Sequence, residues 1–165
     1  MKVLIISDTH GDDSGIATIR KKEGPGSFDV LIHAGDSAGS DSWYAAWARS
    51  FARGGFHIVC GNDYCSTAPT EETFLLDRST VFLTHGHRYG LYGGIGTLVS
   101  AAAAKGAGIV IFGHTHEPVI EYRDGILVLN PGSLSLPRQP DRRKTYIVLT
   151  IDDSDHSLHP VLHWL

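Results

Sequence analysis

Five short segments of this chain set Asp, His or Asn directly after an apolar run: Asp8-Thr9-His10, Gly35-Asp36, Gly61-Asn62-Asp63, His85-Gly86-His87 and Gly113-His114-Thr115-His116. Imidazole mixed with carboxylate and one amide oxygen suits Mn, Fe, Co, Ni or Zn rather than Ca or Mg. The segments contain no thiolate, which argues against a structural zinc site. Two cations about 3.5–4 Å apart clamp the attacking and leaving oxygens of an in-line displacement, and a hydroxide bridging them is a nucleophile at neutral pH. Such a pair needs a shared ligand. A carboxylate can bridge and a neutral imidazole cannot, so Asp36 is the expected bridge. The pattern predicts a two-metal hydrolase.

The elements around these segments explain how they could meet. Lys2–Ser7, Val30–His33 and Phe56–Cys60 read as buried strands, separated by helical stretches at Ser14–Lys22 and Ser42–Arg53. In the second helix Trp43, Ala46, Trp47, Ser50 and Phe51 fall at helical spacing, with Ser40 or Asp41 as cap and Gly54-Gly55 as stop. This alternation predicts a parallel sheet with helices on its faces. Glu72–Leu76 and Thr80–Thr84 read as strands, Thr97–Lys105 as a helix after a Gly-rich loop, and Ile109–Phe112 as another buried strand. Val119–Tyr122 and Ile126–Leu129 form an expected hairpin, Asn130-Pro131-Gly132-Ser133 a tight turn, and Tyr146–Ile151 and Leu158–Leu162 the closing strands. Ligands of open α/β sheets bind at the carboxyl ends of strands, where all five segments lie. If the backbone there is extended, residues i and i+2 share a side, so Asp8 pairs with His10 and His114 with His116. Gly35, Gly61 and Gly113 precede ligands and permit close approach of the backbone.

Composition narrows the class. A chain of 165 residues fits one domain, read as spanning 1–165. A net charge of -4 and a pI near 6.2 argue against a nucleic-acid coat or a polybasic membrane patch, so stable nucleic-acid binding is not expected. No apolar run reaches the eighteen or so residues of a membrane span, and the N-terminal run is too short for a signal peptide. The expectation is a cytoplasmic protein. Cys60 and Cys65 imply no disulfide framework. Of ten histidines, five fall in the ligand segments. His33 reads as a buried core or supporting histidine. Arg88 and Arg138 are cations that could meet a phosphate.

Together the motifs resemble the calcineurin-like metallophosphoesterase superfamily. The runs Ile32-His33-Ala34-Gly35-Asp36, Thr84-His85-Gly86-His87, Gly113-His114-Thr115-His116-Glu117-Pro118 and Asn130-Pro131-Gly132-Ser133 resemble its small YfcE-type phosphodiesterase branch, over Lys2 to about Arg138. The resemblance implies a four-layer α/β/β/α sandwich of two mixed sheets flanked by helices. It implies that Asp8, His10, Asp36 and His116 hold one metal and that Asp36, Asn62, His85 and His114 hold the other. It implies two divalent transition-metal ions, manganese first, with nickel, zinc, iron or cobalt as alternatives. Asp36 and Asn62 would serve catalysis through the metals, on a small phosphodiester substrate, and the branch often forms homodimers or homotetramers. The apolar stretch Val161–Leu165 is a candidate interface.

One segment departs from the family pattern. Much of the superfamily has Gly-Asn-His, whose His meets the phosphate, and the small branch usually has Gly-Asn-x-Asp. Here the run is Gly61-Asn62-Asp63-Tyr64, so Asp63 takes the His position and Tyr64 the Asp position. The general acid is therefore open between Asp63 and His87, which lies two residues past a ligand. Two alternatives share the site. One is a phosphomonoesterase. The other is a scaffold of little catalysis, as in the small subunit of the retromer coat, which resembles the same branch. Such scaffolds have lost parts of the His set, and this chain keeps every position.

Overall fold

A computed structural model describes residues 1–63 and 66–165. Tyr64, expected at the departure from the family pattern, and Cys65 lie outside the described residues. The chain runs β1 (Lys2–Ile6), α1 (Ser14–Glu23), β2 (Val30–His33), α2 (Asp41–Phe51), β3 (Phe56–Ile58), β4 (Glu71–Leu76) and β5 (Ser79–Thr84). A 3-10 turn (Leu91–Gly93) leads into α3 (Gly96–Ala104) and β6 (Ile109–Ile111). Then follow β7 (Pro118–Arg123), β8 (Ile126–Pro131), β9 (Thr145–Ile151) and β10 (Leu158–Trp164). One sheet has the order β10-β9-β1-β2-β3 and the other β4-β5-β6-β8-β7.

Strand alternation explains why these are two sheets with helices outside. Val3 and Ile5 of β1 point inward, with Ile147, Leu149 and Ile151 of β9, onto Val81 and Leu83 of β5 and Leu127 and Leu129 of β8. The intervening Leu4 and Ile6 point outward onto Ile16 and Ile19 of α1 and Tyr44 and Phe51 of α2. On the second sheet Phe82, Val110 and Val128 face outward onto Leu98, Val99 and Ala102 of α3. A strand apolar on both faces must be covered on both. Each fully buried branched side chain contributes about 1.5–3 kcal/mol. The result is the expected α/β/β/α sandwich of two mixed sheets.

Three details differ from the sequence reading. The parallel pairs β1–β2 and β2–β3 are as expected, but β9 joins the far side of β1 antiparallel, Val3 opposite Leu149. The buried stripe of α2 is Tyr44, Trp47, Ala48 and Phe51, and Trp43 is 42% exposed. Both stripes satisfy helical spacing; the Tyr44 hydroxyl decides, because it donates to Thr9 Oγ1 (2.7 Å) beneath the ligand loops. The expected tight turn at Asn130–Ser133 begins inside β8, where Pro131 pairs with Pro118. The C-terminal stretch forms edge strand β10. Leu158 and Leu162 pack against the central core, whereas Val161 and Trp164 are exposed.

Candidate metal centre

Five strands deliver the candidate ligands at their carboxyl ends. Sheet one supplies Asp8 and His10 after β1, Asp36 after β2, and Asn62 and Asp63 after β3. Sheet two supplies His85 and His87 after β5, and His114 and His116 after β6. Because the sheets face each other, the two groups meet at one edge of the sandwich. One ligand atom from each of Asp8, His10, Asp36 and His116 lies within 4.8 Å of the others. His116 Nε2 is 3.2 Å from Asp8 Oδ1, and His10 Nε2 is 3.8 Å from Asp36 Oδ2 and 3.4 Å from His116 Nε2.

The second expected set is looser. His85 Nε2 lies 3.4 Å from Asp36 Oδ2, and the His85 and His114 rings meet edge to face with centroids 5.2 Å apart. Asn62 is exposed, and its backbone N–H donates to Asp36 Oδ1 at 2.8 Å. Asp36 thus has one oxygen held by Asn62 and Asp63 amides and the other turned toward His10 and His85, the disposition a bridging carboxylate needs.

The expectation of extended backbone at the ligands is wrong. Asp8, His10, Asp36, His114 and His116 all have φ between 45° and 68°, in the left-handed region. Non-glycine residues reach it at a cost of order 1–3 kcal/mol, which surrounding contacts must override. Those contacts are present: Asp8 N–H donates to Gly35 O and His10 N–H to Asp36 O, both at 3.0 Å. Asp8 with His10, and His114 with His116, converge through sharp turns rather than pleat alternation. Gly61 and Gly113 are needed because the loops are so close. A Cβ on Gly61 would fall on Asp36 Oδ1 and its amide nitrogen; one on Gly113 would strike Ser7 Oγ and sit 2.7 Å from Asp8 Oδ2.

Supporting hydrogen bonds orient several of the candidate ligands. Asp8 Oδ2 accepts from Ser7 Oγ (2.6 Å) and His114 N–H (3.1 Å), leaving Oδ1 for the centre. His85 Nδ1 donates to Ala34 O (2.8 Å) and His116 Nδ1 to Leu136 O (2.6 Å), so both present Nε2. This is how imidazole ligands are fixed in one tautomer. Asp8 Oδ1 and His85 Nε2 are buried and have no hydrogen-bond partner. An unsatisfied buried polar atom costs about 1–3 kcal/mol. A cation in each expected set would satisfy one of these atoms, Asp8 Oδ1 in the first and His85 Nε2 in the second, and the N/O donor set suits a transition metal. The residues therefore fit the metals that the sequence implies.

Charge follows the same geometry. Burial opposes ionisation of Asp36, but the neighbouring His85 outweighs it and holds the carboxyl well below its usual range. Burial also disfavours charge on His85 and His116, yet Asp36 and Asp8 beside them raise both. Burial, reinforced by His85, lowers His114 and His87. His87 sits beside the ligands, its ring centroid 5.6 Å from that of His85 and 6.2 Å from that of His114. Asp63 accepts from Ala38 N–H, and burial raises its carboxyl. His87 Nδ1 and Asp63 Oδ1 are both buried without a hydrogen-bond partner, so the two acid candidates stay paired as alternatives.

Several supporting contacts come from the Asn130-Pro131-Gly132-Ser133 run and its neighbour Ser135. Ser133 and Ser135 hydroxyls both donate to Asp8 O, at 2.7 and 2.9 Å. Asn130 Nδ2 donates to Gly113 O (2.9 Å) and Thr115 Oγ1 (3.0 Å). Their only signal was the Asn130-Pro131-Gly132-Ser133 turn. His33, expected to be a buried core or supporting histidine, is fully buried beneath the loops. Its Nδ1 accepts from Gly35 N–H (3.2 Å), which puts the proton on Nε2, 3.1 Å from Thr9 Oγ1.

The profile of the calcineurin-like phosphoesterase superfamily domain matches residues 1–154. The probable metallophosphoesterase YsnB of Bacillus subtilis (strain 168) is 33% identical over 154 residues, covering 93% of this chain and 86% of that protein. The phosphodiesterase YfcE of Escherichia coli (strain K12) is 39% identical over 72 residues, 44% of this chain and 35% of that protein. The solved structure of wild-type Vps29 complexed with zinc, from Entamoeba histolytica, has a TM-score of 0.74 at 22% identity over 99% of both chains, a likeness of fold. No helix among the described residues is long and apolar enough to cross a membrane. On the profile match and the near full-length relatives, the chain belongs to the calcineurin-like phosphoesterase superfamily.

Proposed function

We infer that this protein is a metal-dependent phosphodiesterase acting on small phosphodiesters, through a single domain over 1–165. The observation that carries this reading is the convergence of Asp8, His10, Asp36 and His116 ligand atoms within 4.8 Å. In the proposal these four hold one divalent cation, and Asp36, Asn62, His85 and His114 hold the second. When bound, two such ions, manganese first, supply charge neutralisation at phosphorus and activate water for in-line attack. Asp36 would be shared by both ions, and the Asn62 and Asp63 amides that donate to its Oδ1 hold the carboxylate in place. His87 or Asp63 holds the proton that the departing oxygen needs. Self-association, as a homodimer or homotetramer, would use edge strand β10, where Val161 and Trp164 are exposed.

The test strips the protein with chelator and restores manganese, nickel, zinc or magnesium singly. Bis-p-nitrophenyl phosphate and p-nitrophenyl phosphate are then assayed side by side. Diester turnover that returns only with a transition metal is the expected result. Faster monoester turnover would replace the reading with a phosphomonoesterase on the same site. No turnover with any metal, from a folded and metal-loaded chain, would replace it with a scaffold.

A further inference from the structure

One rim of the centre carries groups that neither ligand set uses. Tyr92 stands in the 3-10 turn and is 75% exposed, although its neighbour Leu91 is buried. The Tyr92 ring lies 5.7 Å, centroid to centroid, from that of His114. Its hydroxyl accepts from Arg138 Nη1 at 3.1 Å. Arg138 is fixed to the centre through its backbone, whose N–H donates to His116 O at 3.1 Å. Two residues before Arg138 is Leu136, 55% exposed, whose carbonyl accepts from His116 Nδ1. An exposed aromatic ring, an exposed leucine and a guanidinium thus adjoin two candidate ligands. Exposed large apolar side chains beside a polar centre mark a binding surface.

We propose that Tyr92, Leu136 and Arg138 form the subsite for the non-leaving arm of the diester, and that it selects an arm bearing a flat ring, aryl or nucleobase. The inference rests on the phosphodiesterase reading and deepens it. A ring stacks on Tyr92 whatever its hydrogen-bonding edge, because every base has a π-face. Leu136 covers the ring's apolar border. The Arg138 fork faces an anionic phosphate oxygen and keeps Tyr92 in place from the other side. Inorganic phosphate has no arm, and a monoester undergoing hydrolysis has only its leaving arm, so neither sets anything against Tyr92 or Leu136. The rim therefore decides for two ester arms over one, a choice that the ligand set leaves open.

Two substrates with the same leaving group isolate the arm: bis-p-nitrophenyl phosphate and methyl p-nitrophenyl phosphate. In manganese-loaded wild type, kcat/KM should favour the ring-bearing diester, and Tyr92→Ala should lower that ratio about tenfold. Tyr92→Phe keeps the ring and should retain most of the ratio. Arg138→Ala should raise KM for both diesters. Calorimetric titration with thymidine 5′-phosphate gives a readout free of turnover: Tyr92→Ala should weaken its binding about tenfold relative to inorganic phosphate. A ratio unchanged in Tyr92→Ala, with wild type active on diesters, would overturn the subsite while leaving the phosphodiesterase standing. Absence of turnover in wild type would overturn the phosphodiesterase itself, and the thymidine 5′-phosphate titration would then decide the subsite alone.

Discussion

His33 should make the metal-free protein acid-sensitive over a definite window. Its ring is fully buried at the end of β2 and packs on Tyr44 with centroids 4.6 Å apart. Burial outweighs the attraction of Asp8 and pulls its pKa from 6.5 down to about 4. There is a direct cause: a second proton on Nδ1 would point at the Gly35 N–H that Nδ1 now accepts. Between pH 6.5 and about 4 the unfolded chain binds a proton that the folded chain refuses. Stability present above pH 6.5 is therefore lost as pH falls through that window, and the loss is complete near pH 4. At about 1.4 kcal/mol per pH unit this amounts to about 3 kcal/mol. For a chain of this length that is about 6–12 °C in Tm. His85 and His116, raised by the carboxylates beside them, act in the opposite sense. The readout is therefore a difference: thermal melts of chelated wild type and His33→Gln from pH 7.5 to 4. The variant starts lower, and the gap should close or reverse as pH falls. Two curves that decline in parallel would refute the argument.

Other perturbations test other contacts. Asp36→Ala removes the carboxylate shared by both proposed metals, and should lower metal content by mass spectrometry and diester turnover a hundredfold or more, roughly; normal turnover in a metal-replete variant would sink the two-metal assignment. Gly61→Ala should cost about 2 kcal/mol or more in urea unfolding, because its Cβ meets Asp36, whereas Gly108→Ala, with no neighbour within 4 Å, should change stability by less than about 0.5 kcal/mol. Ser133→Ala should cost about 1–3 kcal/mol by the same measurement, since the Ser135 and Leu136 N–H groups lose their acceptor. Of Asp63→Asn and His87→Ala, the variant that lacks the general acid should lose turnover of alkyl diesters by about a hundredfold, and much less with nitrophenyl leaving groups; equal losses on both substrates in both variants would exclude either as the acid.

The donor types, their order and their place after strands were legible in the sequence, because composition and periodicity are local. Asp8, Asp36, His85 and His116 could each be named from a short apolar run and the polar residue that follows it. The helices and most strands were legible for the same reason. What the sequence could not carry was anything set by a contact between distant segments. The left-handed φ values of Asp8, His10 and Asp36 are held by cross-loop bonds between the β1 and β2 ends, and the mild preference of Asp and His for that region does not by itself select these positions. The buried face of α2 turned on one hydroxyl reaching Thr9, not on spacing. Ser133 and Ser135 meet Asp8 across more than a hundred residues, so no window along the chain could have linked them. The sequence determined which chemistry is present. The facing of two sheets decided which candidate ligands meet, which oxygen of each carboxylate is left free, and that Tyr92 and Arg138 stand at the rim. Those are questions of distance and direction, settled only when both sheets pack on one core.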